Sequence, residues 1–422
     1  MLNAGDAGAT KKVLILGAGF GGLYTLQYLL KRLRRNERLD ITLVNDQNHF
    51  LFSPILHEAA TGVIDLNHIT YPIRKMGNNK FTFIKAEALK IELDKSQVVT
   101  SAGTLDYDYL VIALGSVAIM PEIPYDEQAV FTMKTLRDTT LFKNHLVRIF
   151  EEANIEKDAD RVRQLLTIVI CGGGYTGVQL AATLQDVIFK YYVKYFKSVN
   201  REDINIMLVE AEEEIVRNLY ETSRQYIRRR LEHSGAKIVL NSRITKISKD
   251  AVEINGKDII PTNTLVWVTG VKANPRVAEI ANVKKDNLGR VGVDDYLQIP
   301  EHPNVYVLGD CSYFEDPQTN KPILPRAHNA VRQARVVASN IIAMLRGKEK
   351  RLYDYTDSAE IISLGRSRAL LRLNKNWIYG LPAILLFVLS YSLLAAGAKN
   401  RVRILLDWLM ARFYGPDITL VE

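Results

Sequence analysis

At 422 residues, with 47% hydrophobic and 24% charged composition, the chain is long enough for roughly two to four structural units and too apolar to be disordered. The net charge is +8, and residues 345–422 hold 12 Lys/Arg against 7 Asp/Glu, so most of the excess lies in one greasy tail. That combination points to an anionic lipid surface and away from nucleic acid, while two cysteines without CxxC or metal-ligand spacing exclude a disulfide framework and a metal site.

Met1 to Thr10 is small and polar, which predicts neither a signal nor a transit peptide and keeps the chemistry on the cytoplasmic side. Residues 12 to 16 read as a buried parallel strand that runs into Gly17-Ala18-Gly19-Phe20-Gly21-Gly22 and then a helix to about Arg35. Further strands are predicted at Ile41 to Val44, Phe81 to Ile84, Gln97 to Thr100 and Tyr109 to Ala113, the last ending at Leu114-Gly115. A polar helical run, Leu136 to Leu166, joins this block to a second one. There the strands are Thr167 to Cys171, Ile204 to Val209, Lys237 to Val239, Ala251 to Ile254 and Thr264 to Val268. A last short strand, Asn304 to Leu308, leads to Gly309-Asp310 and the helix Ala327 to Leu345.

The two strand–turn–helix units carry the chemistry. Gly17, Gly19 and Gly22 fit G-x-G-x-x-G. The first glycine makes the turn, the second lets backbone approach a pyrophosphate, and the third lets helix and strand pack closely. Gly172, Gly174 and Gly177 repeat the pattern 155 residues later. The helix N-terminus after each turn offers the positive end of its dipole to phosphate. At the end of the second strand of the first unit stand Asn45 and Asp46, so ribose recognition falls to an amide or to the adjacent carboxylate. In the second unit Glu210 holds that place, and a carboxylate there repels a 2′-phosphate, which favours NADH over NADPH, although Arg217 nearby could compensate. Asp310 closes an apolar strand and is placed to accept hydrogen bonds from a polyol. The helix beginning at Ala327 would aim its N-terminus at an anionic reduced ring.

Asn376 to Ala398 is a run of 23 residues without a formal charge. Pro382 suggests a helix from near Leu381 to near Gly397, roughly 24 Å at ~1.5 Å per residue and short of the ~30 Å hydrocarbon core. Lys399, Arg401 and Arg403 follow, then a second apolar helix, Val402 to Phe413, with Trp408. The pair suits a monotopic anchor, with a transmembrane hairpin and a homodimer interface as alternatives.

Together, Val13 to Gly22, Phe52-Ser53-Pro54-Ile55-Leu56-His57-Glu58-Ala59-Ala60-Thr61-Gly62, Leu110 to Gly115, Ile168 to Ala181, Val266 to Pro275 and Val305 to Cys311 resemble the two-dinucleotide-binding flavoproteins. More closely, their order resembles type II NADH:quinone oxidoreductase, the single-subunit non-pumping NADH dehydrogenase. The resemblance implies an α/β chain of two Rossmann-like dinucleotide-binding domains with C-terminal amphipathic membrane-anchoring helices. The boundaries are then 1–120 with 285–345 for FAD, 121–284 for NADH, and 346–422 for the membrane. It implies FAD at Gly17, Gly19, Phe20, Gly21, Gly22, Asn45, Asp46, Ala88, Gly115, Asp310 and Ala327. It implies NADH at Gly172, Gly174, Tyr175, Thr176, Gly177, Glu210 and Gly270, with a membrane quinone as acceptor.

Two departures stand out. Where the family has a glutamate, this chain has Gln179, which exchanges hydrogen bonds but does not ionise; it is the candidate catalytic residue. The family's quinone-site pattern Ala-Gln-x-Ala-x-Gln reads here Ala327-His328-Asn329-Ala330-Val331-Arg332. His328 and Arg332, four apart, share a helix face and could give a reduced quinone a proton and a positive charge, or stand as solvated surface residues. These departures keep two other readings open. One is a reductase with another acceptor, sulfide:quinone, ferredoxin or disulfide-type; the sulfide and disulfide enzymes need a redox cysteine pair beside the flavin, whereas Cys171 and Cys311 each belong to a cofactor-binding unit. The other is a membrane-tethered flavoprotein that senses NADH with slow turnover.

Overall fold

The structure, a computed structural model, describes residues 10–77, 80–126, 129–356, 359–373 and 376–420. Of the polar leader, only Thr10 lies among them. The helices that position the site are, in chain order, α1 (Phe20–Arg32), α2 (Leu56–Ala59), α3 (Leu136–Ile155), α4 (Tyr175–Val187), α5 (Ala327–Leu345), α6 (Leu381–Leu394) and α7 (Ala398–Tyr414).

The chain divides into two compact units, the first made of residues 1–50, 72–117 and 271–356, the second of 51–71, 118–270 and 357–422. The first is built on a six-stranded sheet in the order Gln298–Ile299, His302–Val307, Tyr109–Ile112, Lys11–Leu16, Leu39–Asn45, Thr82–Lys85. All its pairings are parallel except the outermost, between Gln298–Ile299 and His302–Val307. A parallel strand is covered on both faces, so it reads as an unbroken apolar run, and Val13, Leu14, Ile15 and Leu16 are all buried. Leu26 and Leu29 of α1 and Ala334, Val337 and Ile341 of α5 close one face of this sheet. Each such leucine, valine or isoleucine contributes roughly 1.5–3 kcal/mol of burial.

The second unit repeats the plan with a five-stranded, all-parallel sheet in the order Val130–Phe131, Thr264–Trp267, Thr167–Cys171, Asn205–Val209, Ala236–Val239. Thr167–Cys171 is buried at every position. Helix α3 opens with a reciprocal cap between Thr135 and Asp138. The α/β architecture with two dinucleotide-binding sheets is thus the one the sequence predicts, and most strands lie within a residue or two of their expected ends. Helix α5 matches at both ends.

The C-terminal region differs in detail. The apolar stretch is not one helix: Asn376–Gly380 is the outer strand of an antiparallel meander with Ala359–Ser363 and Ala369–Leu373. Helix α6 then spans 14 residues, about 21 Å, ending at Leu394 instead of near Gly397. Helix α7 begins four residues earlier than expected, at Ala398. Among the described residues no helix is long and apolar enough to cross a membrane. Ala383, Ile384 and Phe387 of α6 are buried, whereas Leu381, Leu385, Leu389 and Leu393 are 61, 68, 53 and 58% exposed. At i, i+4 spacing those four leucines form one row along the helix.

Candidate functional site

Each unit contains one glycine turn, and the two have nearly the same geometry. Gly17 has φ +93°, and a Cβ on it would stand 2.3 Å from Ala113 O; Gly172 has φ +116°, and its Cβ would stand 2.5 Å from Val268 O. A Cβ on Gly22 or on Gly177 would fall 1.9 Å from the carbonyl oxygen of Gly17 or Gly172 respectively. Only glycine fits at these four places. Gly19 and Gly174 differ: each is the N-cap of its helix, α1 or α4, and a Cβ there meets nothing within 4 Å. Strand and helix crowd the first and third glycines, while the second faces open space at a helix N-terminus. That is the shape required by a pyrophosphate held by backbone N–H groups.

The residues around the first turn lie in the first unit. Asn45 Oδ1 accepts from Ala18 N at 2.8 Å and its Nδ2 donates to Gln47 O at 2.9 Å, so this amide braces the turn; Asp46 is exposed beside it. Phe20 opens α1 and meets Phe50 edge-on at 5.0 Å, and a Cβ on Gly21 would press on Ala113 and Leu308 at 3.2–3.3 Å. Ala88 is buried and pairs with Thr100. Gly115, at φ +73°, accepts from Asn274 N at 3.0 Å and from the Cys311 thiol at 3.2 Å. Ser116 Oγ donates to Asp310 Oδ2 at 2.5 Å, and Gln333 Oε1 accepts from Gly309 N at 2.7 Å, which fixes the Gly-Asp turn against α5. Ala327 is the first residue of α5, with no acidic residue in that turn.

His328 and Arg332 follow on α5, both half-buried. The guanidinium of Arg332 donates to Thr356 O at 2.5 Å and to Asp354 O at 3.0 Å. It therefore holds the end of its own unit, a use that the helix-face reading did not foresee.

In the second unit Glu210 sits at the end of Asn205–Val209. Its Oε2 accepts from Gly173 N at 2.6 Å and its Oε1 from Glu212 N at 3.1 Å, so the carboxylate is aimed by backbone. Arg217, the cation that could have offset it, instead pairs with Glu212. Gly173 is a third glycine needed here: a Cβ would lie 2.8 Å from Ile215 Cγ2 and 2.9 Å from Glu210 Oε2. Tyr175 and Thr176 form the start of α4, and Gly270, at φ +154°, accepts from Ile119 N at 3.1 Å.

Gln179 is the fifth residue of α4 and is 8% exposed. Its Nε2 donates to Ser363 Oγ at 3.1 Å, and Ser363 Oγ lies 3.1 Å from His57 Nε2. Glu58, next to His57, accepts the indole N–H of Trp408. Trp408 therefore points its polar edge inward, not to a lipid interface. Sequence reading did not single out Ser363, His57 or Glu58; a histidine and a glutamate at consecutive positions of an otherwise apolar segment were the available signal. The two cysteines form no disulfide and are buried, and burial with the nearby Glu210 charge pushes the Cys171 thiol up to about 12.

Residues 11–334 match the sequence profile of the pyridine nucleotide-disulphide oxidoreductase family. The chain is 31% identical over 360 residues to the type II NADH:quinone oxidoreductase of Staphylococcus epidermidis, covering 84% of this chain and 88% of the relative. The enzyme of the same name from Staphylococcus aureus is 30% identical over the same shares. The chain belongs to the type II NADH:quinone oxidoreductase family.

Solved structures carry the fold likeness of this family member further. NDH2 from Plasmodium falciparum in complex with NADH superposes with a TM-score of 0.87 at 18% identity, covering 97% of this chain and all of the other. The sulfide:quinone oxidoreductase of Aquifex aeolicus gives 0.76 at 19% identity, covering 97% and 96%. At such identities these two define the fold of the type II chain alone.

Proposed function

We propose that the protein is a peripheral membrane flavoenzyme of the cytoplasmic face that oxidises NADH through FAD and reduces a membrane quinone without pumping protons. The observation that carries this reading is the doubled glycine turn, with matching crowding at the first and third glycines and open space at the second in both units. FAD belongs with the first unit and NADH with the second. FAD, when bound, supplies the two-electron carrier between nicotinamide and quinone.

The chain's own groups do the rest. The N-termini of α1 and α4 stabilise the pyrophosphates, and the glycines admit them. Glu210, held by two backbone N–H groups, accepts from the ribose hydroxyls and opposes a 2′-phosphate. Asp310, oriented by Ser116, accepts from the flavin's polyol, and α5 directs its N-terminus, free of acidic side chains, to the ring. Gln179 orients the nicotinamide end by hydrogen bonding. His328 is the residue of α5 suited to give a proton to the reduced quinone, while Arg332 acts by fixing the chain at 354–356. Positioning of this kind supplies most of the rate. The exposed leucine row of α6 and the exposed Leu406, Leu409, Met410 and Phe413 of α7 lie on anionic lipid as a monotopic anchor; a homodimer face is the alternative use.

A disulfide-type reductase is disfavoured by the two cysteines. Cys171 is buried and held as a thiol, and Cys311 is bonded to Gly115 O. Steady-state turnover decides between acceptors: NADH with a short-chain quinone should give sustained oxidation, and sulfide, disulfide and ferredoxin should give none. Turnover with a soluble acceptor alone overturns the proposal.

A further inference from the structure

Gln179 does not ionise, yet it ends a buried chain of polar groups that does. From Gln179 Nε2 the chain runs 3.1 Å to Ser363 Oγ, 3.1 Å to His57 Nε2 and 3.8 Å to Glu58 Oε1. The other Glu58 oxygen accepts from Trp408 of α7. Gln179, Ser363, His57 and Glu58 are 8, 1, 3 and 4% exposed. Stapling α4 to the meander would require one of these bonds; two hydrogen bonds that lead to an imidazole 3.8 Å from a carboxyl, beyond hydrogen-bond length but within ion-pair reach, do more.

One consistent resting arrangement has Gln179 giving an N–H to Ser363 and the Ser363 hydroxyl giving its hydrogen to His57 Nε2, with the imidazole proton on Nδ1. The Gln179 carboxamide consequently turns its nitrogen to Ser363 and its oxygen the opposite way. Burial holds the imidazole at about 3, neutral. Burial also pushes the Glu58 carboxyl up to about 7, against the opposing pull of the Trp408 hydrogen bond and the Arg366 charge. Other charges on the surrounding elements are engaged elsewhere: Lys143 of α3 with Asp417, Asp407 of α7 with His68, Asp186 of α4 with the Arg366 backbone, and Glu360, on the strand that carries Ser363, with Arg372.

We propose that Glu58 and His57 form a proton-driven switch that reverses the hydrogen-bond polarity of the Gln179 carboxamide through Ser363. The proton leaves the Glu58 carboxyl, which becomes a carboxylate, and binds His57 Nε2, which becomes cationic; with the carboxyl at about 7 and the imidazole at about 3 this is the minor state, and it is held by the pairing of the two charges. His57 Nε2–H donates to Ser363 Oγ, Ser363 turns its own hydrogen to Gln179, and the carboxamide rotates to accept it through its oxygen. One proton changes place and no other reactant is consumed. The outward corner of Gln179 alternates between an acceptor oxygen and a donor NH2. A glutamate at this position would make the same change by gaining and losing a proton itself, so the ionisation that α4 lacks is displaced onto α2. Glu58, His57 and Ser363 are positioning residues. Their kinetic effect rests on the NADH-oxidising reading.

The test pairs an infrared pH titration of the full-length holoprotein with the rate of flavin reduction by NADH. In the wild type protonated-carboxyl absorption fades as pH rises through about 7; Glu58→Gln removes the Glu58 part of it and leaves that of Glu360, whose carboxyl burial also pushes up to about 7. Above that pH the wild-type rate falls about tenfold per unit, because the proton is lost from the pair. Ser363→Ala keeps the infrared titration, but its rate varies less than about twofold over the same range, since the connection to Gln179 is cut. Gln179→Glu placed on Glu58→Gln brings a pH-dependent rate back. A wild-type minus Glu58→Gln difference spectrum with no carboxyl band titrating near 7, or a Ser363→Ala rate with the wild-type pH profile, overturns the proposal. A wild-type flavin that NADH never reduces overturns the functional reading and with it the kinetic half of the switch, while the infrared arm still decides the carboxyl.

Discussion

Glu210 accepts a hydrogen bond from Gly173 N at 2.6 Å, so the residue proposed to select the nucleotide also closes the turn proposed to hold it. Selectivity and turn geometry are therefore coupled. Glu210→Gln keeps an acceptor oxygen for Gly173 but removes the charge that opposes a 2′-phosphate. The NADH-over-NADPH ratio of kcat/KM should fall about tenfold, near 1.4 kcal/mol, with little change in Tm. Glu210→Ala leaves the Gly173 N–H without its partner and should also cost about 1–3 kcal/mol of stability. Parallel NADH and NADPH titrations with thermal melts check both.

The two glycine turns should fail independently. Gly17→Ala drives a methyl into Ala113 O, and Gly172→Ala drives one into Val268 O, both at positive φ. Each should destabilise its unit by about 1–3 kcal/mol. Gly17→Ala should be purified with little flavin. Gly172→Ala should keep its flavin absorbance and lose NADH affinity by at least about tenfold, read by titration.

The buried Glu58 carboxyl makes stability depend on pH. Its folded value is raised from 4.5 to about 7, so its stabilising contribution is complete below about 4.5 and is lost as pH rises through about 7. His57 runs the other way: its value is lowered from 6.5 to about 3, and its contribution is lost as pH falls through that range. Comparing Glu58→Gln with wild type isolates the carboxyl. The difference should move in favour of the variant by on the order of 3 kcal/mol between pH 4 and pH 8, measured by denaturant unfolding.

The exposed leucine row of α6 should carry lipid binding. Deleting the tail would be a poor test, because Trp408 and Asp417 partner the buried Glu58 and Lys143. Leu385→Ser with Leu389→Ser alters only side chains 68 and 53% exposed. The double variant should sediment with anionic liposomes several-fold less than wild type, while NADH still reduces its flavin at the wild-type rate. Unchanged sedimentation would contradict lipid binding by this row.

Much of the frame was legible because parallel strands bury both faces and print themselves as runs such as Val13 to Leu16 and Ile168 to Ile170. The glycine spacing then marks each turn. Three things were not legible. The strand Asn376–Gly380 merges with α6 in hydropathy, since an edge strand and the helix after it are both uncharged. Arg332 has the composition of a ligand residue, and only the fold shows its guanidinium bound to the carbonyls of residues 354 and 356. The Gln179–Ser363–His57–Glu58 chain joins positions up to 306 residues apart, which no local pattern announces.

Anaerobic rapid mixing of the purified protein with NADH, then with a short-chain quinone, tests the central claim most directly. The flavin absorbance should bleach on NADH and return on quinone, at a rate no slower than steady-state turnover. A flavin that bleaches with NADH and is not reoxidised by quinone would contradict it.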